Sequence, residues 1–348
     1  MIKILHSADW HLGSPLLQKE SLRQKLMSVP EQVAALCLQE NCDLMLLSGD
    51  LFDGVPSADS IKAVLNTMAR VGVPVFISPG NHDFVAPGSP WLTESWPENV
   101  HIFTHPAMEL VDVKGLDCCV YGAGYTSMDC PGLLQDFSPT HTEKYAVGVL
   151  HGDPTQIASP YCPVTAEQVA QSGLQYLALG HIHKGDSFRA GNTLCAWPGC
   201  PMGRGYDETG EKGVLIVTID KGADARFVPL NTPRFFDLEV DVNTSLDTVL
   251  PPVGSEDHYR ITFVGAGKKP NLDALQQKYS RFPNLVLRDR STLPVDIWSS
   301  AGEDTLEGKY FQLLRSAMDS ADEATGKTLR LAAEISRKLL DGQEVVLP

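Results

Sequence analysis

No C-x-x-C pair occurs among the eight cysteines (Cys37, Cys42, Cys118, Cys119, Cys130, Cys162, Cys195 and Cys200), and two of them are adjacent. That spacing excludes a zinc ribbon and a disulfide framework. No uncharged apolar run approaches the ~20 residues of a membrane span. The opening Met1-Ile2-Lys3-Ile4-Leu5 runs straight into His6, Asp9 and His11, too short an apolar stretch for a signal peptide. These absences predict a cytoplasmic protein with reduced thiols and no membrane association. Internal repeats and low-complexity tracts are missing as well. With 43% hydrophobic and 20% charged residues, wholesale disorder and a coiled coil are excluded. Basic residues are scarce: 28 Lys+Arg stand against 43 Asp+Glu, a formal net charge of -15. Taken alone that opposes a polyanionic partner, but composition does not count bound metal ions. A P-loop is absent too. Gly205 to Lys212 has Glu211 between Gly210 and Lys212, and Gly213 where Ser or Thr is needed, so it reads as a glycine-rich turn.

A length of 348 residues suits about two domains. Ile2 to Ser7, Asp43 to Ser48 and Val73 to Ser78 read as strands. Between them lie a helical region from about Ser21 to Glu40, interrupted at Pro30, and a helix from Ser57 to Val71. Such a β-α-β-α-β run favours parallel strands with right-handed crossovers. Further strands are expected at Ala146 to Leu150, Tyr176 to Leu179 and Gly213 to Ile219, in a sheet with antiparallel parts. The texture changes near Thr232-Pro233, which divides the chain into 1–230, 231–292 and 293–348. The middle part reads as a small α+β module: strands Arg234 to Val242, Tyr259 to Val264 and Asn284 to Arg288, with a helix from Leu272 to Tyr279. In the last part Asp304, with Glu307 three residues on, caps a helix whose apolar positions are Leu306, Tyr310, Leu313, Leu314 and Ala317. A second helix, Thr328 to Leu340, stops at Asp341-Gly342.

Five polar clusters each follow an apolar strand: Asp9-Trp10-His11, Gly49-Asp50-Leu51-Phe52-Asp53, Gly80-Asn81-His82-Asp83, His151-Gly152-Asp153 and Gly180-His181-Ile182-His183. The carboxyl ends of parallel strands share one edge, where ligands bind, so the clusters converge in space. Residues i and i+2 of an extended segment point to the same side, which lets each D-x-H or H-x-H pair grip one ion. Carboxylate, amide oxygen and imidazole without thiolate suit Mn, Fe or Zn. Two ions about 3.5–4 Å apart are the arrangement used to hydrolyse phosphate esters. The remaining histidines, His6, His101, His105, His141 and His258, have no partner spacing and read as surface or packed residues.

The ordered set D-x-H, G-D-x-x-D, G-N-H-D, H-G and G-H-x-H resembles the calcineurin-like metallophosphoesterase superfamily over roughly residues 1 to 200. The opening Ile4-Leu5-His6-Ser7-Ala8-Asp9-Trp10-His11-Leu12-Gly13, with Gly49-Asp50-Leu51-Phe52-Asp53, is most similar to its SbcD-type DNA repair nucleases. The resemblance implies an α/β fold, a β-sandwich of two mixed sheets flanked by helices. It also implies a small capping domain and a C-terminal helical segment that docks an ATPase. One metal would be held by Asp9, His11, Asp50 and His183, and the other by Asp50, Asn81, His151 and His181, with Asp50 bridging. His82 would be the general acid toward the leaving oxygen, oriented by Asp83. Asp53 stands where some relatives carry a substrate-touching histidine, and its role is open between structure and catalysis. The implied cofactors are two divalent ions, Mn first, with Fe and Zn as alternatives. The implied partners are DNA and an SMC-like ABC ATPase of the SbcC type, and a homodimer is compatible.

One stretch reverses the acidic balance. Residues 258 to 292 carry Arg260, Lys268, Lys269, Lys278, Arg281, Arg288 and Arg290 against Asp273 and Asp289. A solvated face and a phosphate-contacting face are both open readings, and the second takes Lys268, Lys269, Arg281, Arg288 and Arg290 as DNA contacts. The rival substrate is a nucleotide or other small phosphate ester, which the acidic surface favours.

Overall fold

The computed structural model describes residues 1–342 apart from 136 and 295. The strands, in chain order, are β1 (Ile2–Ser7), β2 (Leu44–Leu47), β3 (Val75–Ile77), β4 (Val100–Ile102), β5 (Glu109–Asp112), β6 (Cys118–Gly122), β7 (Tyr145–His151) and β8 (Tyr176–Gly180). They continue with β9 (Lys184–Ala190), β10 (Thr193–Gly199), β11 (Gly213–Ile219), β12 (Ala223–Pro229), β13 (Phe235–Asp241), β14 (His258–Val264) and β15 (Leu285–Asp289). The chain divides into two compact units. One comprises Met1–Asp237 with Glu256–Tyr259, the other Leu238–Ser255 with the chain from Arg260 on.

The first unit is built on two six-stranded mixed sheets, ordered β12-β11-β1-β2-β3-β4 and β5-β6-β7-β8-β10-β9. Strands β1 to β4 run parallel, as do β6, β7, β8 and β10, while β11, β12, β5 and β9 are antiparallel to their neighbours. Alternation explains the layering. Ile2, Ile4, Leu44, Leu46 and Phe76 share one apolar cluster with Val120, Val147, Val149 and Ala178, joining the two sheets face to face. Their neighbours Leu5, Met45, Leu47, Val75 and Ile77 turn the other way, toward Val33, Val64 and Met68. The latter lie on helices α2 (Val29–Gln39) and α3 (Ala58–Val71), preceded by α1 (Glu20–Met27). The expected interruption falls at Ser28, and Pro30 sits in the first turn of α2, where its missing N–H costs nothing. Two short helices, α4 (Pro90–Thr93) and α5 (Ala166–Gln171), complete this unit.

The second unit holds most of the three-stranded sheet β13-β14-β15 and the helices α6 (Leu272–Lys278), α7 (Leu306–Asp319) and α8 (Glu323–Leu340). Two details of the tail differ from the sequence expectation. The cap of α7 is Thr305, whose side chain accepts the Gly308 N–H, and not Asp304. Helix α8 begins before Thr328, because Asp322 caps it by accepting from the Thr325 N–H. The buried contact of the pair is Phe311 with Ala333 and Ile297, with the Arg337 guanidinium over the Phe311 ring. Leu306, Tyr310 and Leu313 of the expected apolar stripe are exposed. Among the described residues, no helix is long and apolar enough to cross a membrane.

Candidate metal centre

All five clusters meet at the carboxyl-terminal edge of β1, β2, β3, β7 and β8. Three of these strands, β1, β2 and β8, are followed by left-handed backbone. Asp9, His11, Asp50 and His181 have positive φ (53°, 49°, 52° and 89°). A non-glycine residue in that region costs on the order of 1–3 kcal/mol, and such strain collects at functional sites. Glycine is required beside them: a Cβ on Gly80 would lie 2.3 Å from Asp50 Oδ1, and one on Gly49 would lie 2.6 Å from His151 Nδ1.

The side chains then face one another. His11 Nε2 lies 3.1 Å from His183 Nε2 and 3.8 Å from Asp50 Oδ2. Asp9 Oδ1 is 4.0 Å from both His183 Nε2 and His151 Nδ1, and its carboxylate accepts the His181 N–H. Asn81 Oδ1 sits 2.9 Å from His151 Nε2 and 3.2 Å from His181 Nδ1. Among the described residues, two of the clustered donor sets that could hold an ion are Asp9-His11-His183 and Asp9-Asp50-His151. Asp9, His11, Asp50 and His151 are buried.

Two observations test whether a cation fits. His151 donates from Nδ1 to the Ser48 carbonyl at 2.9 Å, which leaves Nε2 facing two oxygens, Asn81 Oδ1 and Asp50 Oδ2 at 3.3 Å. A lone pair does not satisfy two acceptors; a positive charge does. Without metal a proton supplies it: burial opposes the charge, but the Asp50 carboxylate lifts His151 to about 9 and is itself held well below the usual carboxylate range. The second observation is His11, pushed down to about 3 by burial, whose Nε2 faces another imidazole nitrogen, His183 Nε2, at 3.1 Å, an arrangement in which two rings satisfy at most one hydrogen bond between them. Buried polar groups are normally satisfied. Two carboxylates, an amide oxygen and four imidazoles converging in this way, without a thiolate, suit a hard to borderline divalent ion, which would take the place of the His151 proton.

His82 stands beside this cluster and is partly exposed, and the geometry corrects the expectation about its partner. Its Nδ1 donates to Asp53 Oδ1 at 3.0 Å, and this bond, assisted by Asp50, raises the imidazole above its ordinary value against the cost of burial. Asp83 does not reach it. The Asp83 carboxylate accepts backbone N–H groups from Leu51 (2.7 Å), Phe52 (3.2 Å) and Gly80 (2.7 Å), fastening the Asp50 turn to the Asn81 turn.

Two residues at the site escaped the sequence reading. Glu208 Oε1 lies 2.7 Å from His183 Nδ1, and Arg204 Nη2 donates to the same Glu208 oxygen at 2.6 Å while lying 2.9 Å from that His183 nitrogen. Glu208 lies in the glycine-rich turn Gly205 to Lys212 and Arg204 immediately precedes it, and their spacing repeats nothing in the other clusters. Of the five expected DNA contacts, all in the second unit, Lys269 is paired with Asp289 and Arg290 with Glu239, and the Arg281 guanidinium lies over the Tyr279 and Phe282 rings. Lys268 and Arg288 are exposed. Of the histidines read as non-ligands, His6 is buried between Tyr176 and Ser48 and pushed down to about 3 by burial, so it braces the fold as a neutral ring.

The model of calcineurin-like phosphoesterases matches residues 2–185, more than half of the chain. The chain belongs to the calcineurin-like phosphoesterase family. Among its relatives in this family, an uncharacterized metallophosphoesterase of Bacillus subtilis, YhaO, is 31% identical over 245 residues, covering 64% of this chain and 58% of that protein. The SbcD component of the nuclease SbcCD from the same organism is 26% identical over 274 residues, 64% of this chain and 68% of that one. Among solved structures, a dimetal phosphatase from Danio rerio aligns with a TM-score of 0.44 at 12% identity, over 65% of this chain and 96% of that chain.

Proposed function

We propose that this calcineurin-like phosphoesterase is a metal-dependent phosphodiesterase that hydrolyses DNA together with an SMC-like ABC ATPase of the SbcC type. The observation that carries the reading is the convergence of Asp9, His11, Asp50, Asn81, His151, His181 and His183 on one sheet edge, with a protonatable His82 beside them. Asp9, His11, Asp50 and His183 would hold one ion, and Asp50, Asn81, His151 and His181 the other, with Mn the metal of first choice. When bound, the ions activate water and neutralise the phosphoryl oxygens. The chain's own residues do the rest. Asp53 holds His82 protonated, and His82 gives its Nε2 proton to the departing oxygen. Asp83 keeps the Asp50 and Asn81 turns in register by its three backbone bonds. Glu208 fixes the His183 ring so that Nε2 presents its lone pair, the usual carboxylate–histidine support of a metal site.

The DNA reading is supported by the similarity to the SbcD component of the nuclease SbcCD. For the partner, the support is the exposed Leu306 and Leu313 on α7, apolar side chains that a docked protein would cover. Residues 231–292 would act as the cap and residues 293–348 as the docking segment. Hydrolysis of a small nucleotide or other small phosphate ester is the second reading, favoured by the pairing of Lys269, Lys278 and Arg290 with acidic neighbours, which leaves fewer cations free for a phosphate backbone.

Mn-loaded protein, alone and with its ATPase, is expected to cleave a labelled oligonucleotide with far higher kcat/KM than a small aryl phosphodiester. Absence of DNA cleavage in both states overturns the DNA reading, and robust turnover of the aryl ester alone moves the assignment to small substrates. A separate expectation concerns Glu208→Gln. Loss of the carboxylate should weaken metal affinity about 10–100-fold by titration calorimetry, while the metal-free protein keeps its fold.

A further inference from the structure

We propose that a pocket on the leaving-group side of the site receives the base of the departing nucleoside, a specificity element that rests on the phosphodiesterase reading above. The pocket has a volume of about 260 Å³ and lies between residues 52–56 and 82–90, with His82 in its wall. Its walls include the apolar Phe52, Val55, Pro56, Phe84 and Pro87, with Ser89 among the remaining lining residues. The two segments are tied by the Gly54 N–H, which donates to the His82 carbonyl at 3.2 Å. Phe52 is fully buried against Trp91, so the floor is rigid, and the prolines fix the walls in advance of binding.

The position follows from the histidine. His82 Nδ1 is taken by Asp53, so Nε2 is the nitrogen left for the leaving oxygen. Whatever is attached to that oxygen lies next to His82, and His82 also lines this pocket. Its chemistry selects the occupant. No lysine or arginine lines it, so it does not recognise a second phosphate. Its one carboxylate, Asp83, is consumed by backbone N–H groups. The volume falls below the ~300–1,000 Å³ of pockets for larger ligands, which leaves room for a single ring system. An uncharged flat ring, borne by a sugar on the leaving oxygen, meets all three conditions. Apolar stacking is tolerant of base identity, because every base has a π face. Val55, 98% exposed at the rim, is then an apolar side chain with a ligand to cover.

The experiment uses the full chain with Mn and three dinucleotides of identical leaving oxygen: the parent, one abasic on the leaving side and one abasic on the other side. Losing the leaving-side base should lower kcat/KM at least about fivefold, and losing the other base by less than about twofold. Val55→Asp places a charge at the mouth without touching the core, and should erase the difference between the parent and the leaving-side abasic substrate. Equal losses from the two abasic substrates overturn the proposal, as does a Val55→Asp loss that is the same for all three. Calorimetric binding of the uncleavable methylphosphonate forms of the same dinucleotides separates this idea from the reading beneath it. Base-dependent binding without cleavage keeps the pocket and removes the phosphodiesterase; cleavage or binding indifferent to the leaving-side base removes the pocket.

Discussion

Asp50→Asn is expected to lower phosphodiester turnover by at least about a thousandfold, because transition-state charge stabilisation by bound ions is worth several kcal/mol and each 1.36 kcal/mol is tenfold. The reason lies in what surrounds the carboxylate. Asp50 Oδ2 is 3.3 Å from His151 Nε2 and 3.8 Å from His11 Nε2, and so lies within reach of both sets of candidate ligands. Oδ1 accepts the His82 N–H at 2.9 Å, which aims the carboxylate inward. Asparagine preserves the shape and can preserve that bond, so the variant isolates the charge. The metal-free protein should be less stable, because removing one partner of a buried pair costs up to ~3–5 kcal/mol, a loss that His151 reduces by shedding its extra proton once Asp50 no longer holds it. What should disappear is the stabilisation by metal, about 2.7 kcal/mol at a hundredfold excess over Kd. Elemental analysis should show fewer than two ions per chain, and Mn should no longer raise the melting temperature. A variant that keeps both ions and its activity would remove Asp50 from the centre of the site.

How much of this was legible in the sequence depended on whether a residue's role leaves a local trace. Strands β1, β2, β3, β7, β8 and β11 are buried, apolar and followed by polar clusters or turns, and the sequence pattern marks them well. Strands β9 (KGDSFRA) and β12 (ADARFVP) lie at sheet edges, interleave charges with few apolar residues, and show no clean alternation; only their pairing to β10 and β11 makes them strands. Strand β4 (VHI) is as short as β3, but it is only half-buried and has a histidine at its centre, so no apolar run marks it. The same division runs through the site. The D-x-H and H-x-H pairs are visible because an extended chain puts i and i+2 on one side. The partner of His82 was not visible: Asp83 is adjacent in sequence, yet a turn sends its carboxylate to the backbone, and Asp53, 29 residues away, takes its place. Glu208 and Arg204 show the limit from the other side. A residue that acts by orienting a ligand carries no spacing relative to it, and only the fold brings Glu208 to His183.

His82→Ala should cost about 10²–10⁴-fold in kcat on DNA while both ions remain bound, the usual worth of a positioned general acid. The size of the loss should depend on the leaving group. A nucleoside alkoxide needs a proton as the bond breaks, whereas 4-nitrophenolate leaves unaided, so the deficit should nearly vanish on bis(4-nitrophenyl) phosphate. A metal-ligand role would depress both substrates together. The pH profile adds a second, signed test. His82 is held above its ordinary value chiefly by Asp53, which is itself held down to about 2, with the His82 hydrogen bond as the leading cause. The acid is present below the folded pKa of His82 and is lost as pH rises through it, so kcat on DNA should fall on the alkaline side of that value. Asp53→Asn removes the main raising influence and must move the alkaline limb to lower pH, leaving activity in acid less affected than activity at neutral pH. The movement should be absent with the nitrophenyl ester, because no proton is donated there. An unshifted limb in Asp53→Asn, or an equal His82→Ala deficit on both substrates, assigns the proton donor elsewhere and leaves His82 as a substrate-positioning group.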